Sequence, residues 1–67
     1  MFELGDVLEH RITKEPCMII KFDKHKRVKL LSWNMMDIWG EDVLYVIDNY
    51  KKINHIDLSL LIGSNIK

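Results

Sequence analysis

The run Cys17-Met18-Ile19-Ile20-Lys21-Phe22, then Asp23-Lys24-His25-Lys26-Arg27, then Val28-Lys29-Leu30-Leu31-Ser32-Trp33 sets the architecture of this chain. Two short stretches rich in β-formers flank a charged tip, and that pattern reads as a β-hairpin. Within the first stretch Met18, Ile20 and Phe22 alternate with Cys17, Ile19 and Lys21; within the second Val28, Leu30 and Ser32 alternate with Lys29, Leu31 and Trp33. Both faces therefore carry apolar side chains. Strands of that kind sit in the middle of a sheet and are partly covered on each side.

Working outward toward the N-terminus, Gly5-Asp6 precedes Val7-Leu8-Glu9-His10-Arg11-Ile12, whose alternation predicts a first strand over residues 7–12. Thr13-Lys14-Glu15-Pro16 is a polar connection, and Pro16, which has no backbone donor, belongs at a strand entrance or edge. Toward the C-terminus, Met35-Met36-Asp37-Ile38-Trp39 predicts a short fourth strand, Gly40-Glu41-Asp42-Val43 a turn, and Leu44-Tyr45-Val46-Ile47 a fifth strand. Residues 1–48 then make one domain, and residues 49–67 an appended segment. In that segment Ile56 and Leu60 fall at helical spacing before Gly63, while His55-Ile56-Asp57-Leu58-Ser59-Leu60 also alternates with period two. A short helix over residues 55–62 and an extra strand both fit.

Five short strands with a tight hairpin between the second and third describe a small curled sheet or barrel. Gly5-Asp6-Val7-Leu8, Met18-Ile19-Ile20 leading to Asp23, Val28-Lys29-Leu30-Leu31-Ser32-Trp33, Trp39 and Leu44-Tyr45-Val46-Ile47 resemble the small SH3-like barrels of many uncharacterised bacterial and phage proteins. The likeness covers residues 4–47; Cys17 stands where that group usually has Gly, and the segment from Asp48 lies outside it. The resemblance implies an all-β, five-stranded SH3-like barrel. In general pattern it extends to the KOW and Tudor kinds, which use strand-connecting loops to grip nucleic acids or peptides.

Composition narrows the function. Sixty-seven residues make one domain with a marginal core. Ten Lys plus Arg balance ten Asp plus Glu, so no global field draws the chain to nucleic acid or anionic lipid. Recognition by charge must be local. Cys17 is the only cysteine, which rules out an internal disulfide and a thiolate metal cluster and fits a reducing, cytoplasmic setting. No apolar run approaches 18 residues, and no secretory leader is evident, so a soluble intracellular protein is expected. His10, His25 and His55 lie at no metal-site spacing, and no serine or cysteine has a nucleophile's context. A barrel this small fills its interior with side chains. We therefore expect no enzyme, no cofactor, no metal and no small-molecule substrate.

Three candidate surfaces remain. The basic tip, with Lys21, Lys24, Lys26, Arg27 and Lys29, has the chemistry of a phosphate-contacting loop, and equally that of a solubilising turn. An aromatic face would include Trp39, Tyr45 and Tyr50, with Trp33 expected in the core or at a subunit interface and Trp39 more open. The tail brings Ile53, Ile56, Leu58, Leu60, Leu61 and Ile62, too dense an apolar group to leave in water. It is expected to cover the barrel or to pair with a second copy as a homodimer. The leading expectation is a non-catalytic interaction or assembly module joining itself or a larger, phage-type assembly; the alternative is a nucleic-acid-binding accessory acting through residues 21–29.

Overall fold

Residues 17–33 form the expected hairpin. The computed structural model describes residues 2–57, which fold as β1 (Asp6–His10), β2 (Pro16–Asp23), β3 (Arg27–Ser32), β4 (Asp37–Asp42), α1 (Val43–Asn49) and β5 (Tyr50–His55). All neighbouring strands are antiparallel in one five-stranded sheet of order β4-β3-β2-β1-β5. The hairpin strands are thus interior strands, as two apolar faces require. Edge positions go to β4 and β5.

Directly paired residues share a face, so the registers sort the side chains. Ile19 pairs with Leu30 and Leu30 with Trp39, while Leu8 pairs with Cys17. These point inward. Leu8, Cys17, Ile19, Val28, Leu30, Val46 and Tyr50 form the buried core, with Phe2, Trp39 and Val43 packed against it. Each large apolar side chain removed from water there contributes roughly 1.5–3 kcal/mol before conformational entropy is subtracted.

The second half departs from the sequence reading. The fourth strand runs on to Asp42, and Leu44-Tyr45-Val46-Ile47, expected as a fifth strand, is the body of α1. The Asp42 carboxylate accepts the Leu44 amide at 2.8 Å and caps the helix. Val43 and Val46 then recur at helical spacing over the sheet, with Ile47 at the margin of that stripe and as exposed as Tyr45, and Leu44 more exposed still. Strand propensity loses here to one cap and one apolar stripe. The true fifth strand, Tyr50–His55, pairs with β1 from Asp6↔His55 to His10↔Tyr50. Residues 50–55, assigned above to the appended segment, therefore belong to the sheet. His55 is the last residue of β5, Ile56 and Asp57 follow without regular structure, and the rest of the 55–62 span lies outside the described residues.

Gly5 joins the two ends of this arrangement. Its amide donates to the Ile19 carbonyl at 2.9 Å, and its carbonyl accepts the Ile56 amide at 2.8 Å. It has φ +87°, and a Cβ there would overlap the Ile56 carbonyl oxygen. Only glycine satisfies both conditions.

Candidate interaction surface

The outer face of the sheet carries an apolar row four strands wide. Val7 pairs with Met18, Met18 with Leu31 and Leu31 with Ile38. Exposure rises along it, from buried Val7 through half-buried Met18 and Leu31 to Ile38 at 56%. The β3–β4 turn at its edge adds exposed Trp33, Met35 and Met36, the last at 85%. Contiguous apolar surface of this kind marks contact sites in soluble domains. On one side of the row, along the strands, Lys21 pairs with Lys29 across β2 and β3; on the other side Glu9 pairs with Pro16, and Glu15 precedes β2.

Trp39, expected to be the more open tryptophan, is the more buried one, and Trp33 stands outside the core at a position still compatible with a subunit interface. Trp39 is partly buried against the core because it is paired with inward Leu30, whereas Trp33 lies just past β3 and is 42% exposed. Of the other residues expected on an aromatic or apolar face, Tyr45 is 44% and Ile56 42% exposed. Tyr50 is buried, its ring edge-on to His10 at 4.9 Å, and burial pushes its phenol up to about 12. Ile53 is exposed on β5, and Leu58, Leu60, Leu61 and Ile62 lie outside the described residues.

At the hairpin tip Lys21, Lys24, Lys26, Arg27 and Lys29 are all exposed. Lys21 lies 3.5 Å from the Asp23 carboxylate. The chain reverses through His25 and Lys26, both left-handed at φ 62° and 59°. Arg27 pairs with Asp42 and Val28 with Glu41, so the acidic end of β4 runs beside the basic tip.

One charged cluster carried no signal in the sequence beyond the Gly5-Asp6 pair. Asp6 is fully buried. Its Oδ2 accepts the Glu3 amide at 2.8 Å, and its Oδ1 lies 2.6 Å from His55 Nδ1 and 3.3 Å from Lys52 Nζ. Burial alone would raise the carboxyl's pKa, but the Glu3 amide, His55 and Lys52 together outweigh it and hold the group below 3.8. The partners come from β5, 49 residues away for His55. The cluster ties the first strand to the last. Cys17 is buried among apolar neighbours, and desolvation raises its thiol to about 11, far from nucleophilic chemistry.

Among the described residues no group of three or more His, Cys, Asp or Glu is arranged to hold a metal ion, and no helix is long and apolar enough to cross a membrane. No protein family, curated protein or solved structure matches the chain.

Proposed function

We propose that this chain is a small non-catalytic interaction module, built as an SH3-like barrel, that self-associates through the outer face of its sheet. The fold reading is supported by the strand order β4-β3-β2-β1-β5 with one short helix between β4 and β5. The functional reading rests on the solvent-facing row of Met18, Leu31 and Ile38 beside exposed Trp33. A second copy is the partner that the charges favour. A two-fold axis lying between two such faces and crossing the strands sets the Lys29 side of one copy against the Glu15 side of its partner, Lys21 and Glu9 being paired within the chain with Asp23 and Lys51. An axis along the strands would place like charges together.

Sedimentation equilibrium tests this directly. The intact chain should dimerise with rising concentration, and Trp33→Ser with Ile38→Lys, both at exposed positions, should weaken the dimer at least tenfold without unfolding it. A chain that stays monomeric at millimolar concentration removes self-assembly from consideration.

A second reading is favoured by the five exposed cations at one hairpin tip. It makes the protein a nucleic-acid-binding accessory whose residues 21–29 contact phosphates. It requires binding of a labelled single strand or duplex that falls steeply as salt rises, and that is lost when Lys24, Lys26 and Arg27 are all changed to Glu. Glu41 and Asp42, paired across from Val28 and Arg27, offset the charge on that side of the tip and weigh against it, while Lys24 in the turn lies outside that pairing.

A further inference from the structure

On the opposite side of the sheet from the apolar row, α1 and the N-terminal segment before β1 leave an open cleft. It has a volume of about 210 Å³ and is walled by Phe2, Phe22, Val43, Val46 and Ile47 over the hairpin's inner face. A dry cavity of about 150 Å³ suffices for a benzene ring, so this one accepts a single aromatic or branched aliphatic side chain. Both ends of the cleft run into basic ground. Phe22 also walls a shallow depression with Lys21, Asp23, Lys24 and His25, while Phe2 and Ile47 wall another with Arg11, Tyr50, Lys51 and Lys52. The three depressions adjoin through Phe22 on one side and through Phe2 and Ile47 on the other, forming a groove with an apolar middle, Lys24 at one end and Arg11 at the other.

The charges are not all available. Lys51 lies 3.6 Å from Glu9, Lys52 3.3 Å from Asp6, and Lys21 3.5 Å from Asp23. Arg11 and Lys24 are exposed and in no ion pair among the described residues, one at each end of the groove.

We propose that this groove binds an extended acidic peptide segment, one apolar side chain of which enters the cleft between Phe22 and Ile47 while flanking carboxylates meet Arg11 and Lys24. Charge complementarity selects the partner: a neutral apolar segment leaves both cations unused, and a basic one is repelled at both ends. The site stands apart from the outer face and does not depend on self-association.

The probe is a fluorescently labelled peptide, Glu-Asp-Gly-Phe-Asp-Glu, titrated against the full-length chain by anisotropy at low salt. Saturable binding is expected, tenfold or more weaker for the same peptide with Ala in place of Phe, and again tenfold weaker for Arg11→Glu with Lys24→Glu. Ile47→Asp, at an exposed position on α1, should weaken it comparably, and far-ultraviolet circular dichroism should show each variant folded. Ile38→Lys on the outer face should leave the affinity unchanged; if it abolishes binding, the peptide sits on the other face and the proposal fails. No binding at millimolar peptide, or equal binding of the Ala peptide, also overturns it. So does a tenfold gain in affinity on changing Leu60 and Leu61 to Asp, since the groove would then be held by the chain's own C-terminal residues.

Discussion

At the residue scale, Gly5 and Asp6 carry more of the structure than their size suggests. Gly5 must hold a positive φ with a carbonyl pressed where a side chain would stand, so Gly5→Ala meets both a backbone penalty and a steric one. It should cost at least about 2 kcal/mol, read as a drop in the urea midpoint at unchanged slope. A cost under half a kcal/mol would mean that the Gly5 to Ile56 contact does not hold β5 in place. Asp6 has the opposite character, a buried charge satisfied by three donors. Its folded pKa lies below its unfolded value, so its contribution is fully present above about pH 4 and disappears as pH falls through the folded value. Asp6→Asn should remove about 1–3 kcal/mol at neutral pH and flatten the acid limb of the stability curve. If the variant and the parent lose stability in parallel between pH 5 and 2, the cluster is not what acid breaks.

At the element scale, the β2–β3 turn and α1 show where sequence reading succeeds and where it stops. The hairpin was readable because alternation and a polar tip are local signals, and β2 and β3 together announce an interior position by being apolar on both faces. The helix was not. Val43-Leu44-Tyr45-Val46-Ile47 consists of β-formers whose conformation is fixed by Asp42 and by the apolar core under Val46, a tertiary effect that no window of sequence displays. For the same reason β5 was hidden: Tyr50-Lys51-Lys52-Ile53-Asn54-His55 alternates poorly, and it is a strand because β1 lends it a ladder. Of the candidate surfaces, the basic tip was legible as a charge run. The outer apolar row was not, because it exists only once registers are known. The turn offers its own test. His25 and Lys26 occupy left-handed backbone that glycine adopts without penalty, so Lys26→Gly should stabilise the fold by about 0.5–1 kcal/mol. A thermal midpoint that falls instead would place the reversal elsewhere.

At the scale of the whole molecule, Cys17 gives a built-in reporter of opening. It is 1% exposed beneath the inner face, with its thiol raised to about 11. Alkylation at pH 8 therefore proceeds through unfolded or widely opened molecules, and its rate should rise with urea in step with global unfolding. Rapid labelling of the native chain would show that the core breathes at that strand on its own. Because Cys17 is on β2, paired with Leu8 of β1 and sharing the core with Leu30 of β3, such breathing would loosen both halves of the sheet at once.

The placement of β5 beside β1 also orders events during folding. Residues 6–42 can assemble as a meander of four strands joined by local turns, with β1 at its margin and the Asp6 carboxylate lacking His55 and Lys52. That margin closes only when residues 50–55 arrive, by a pairing that spans nearly fifty residues. Until then the chain is a sheet with a free edge, open to mispairing with its neighbours and to capture by chaperones.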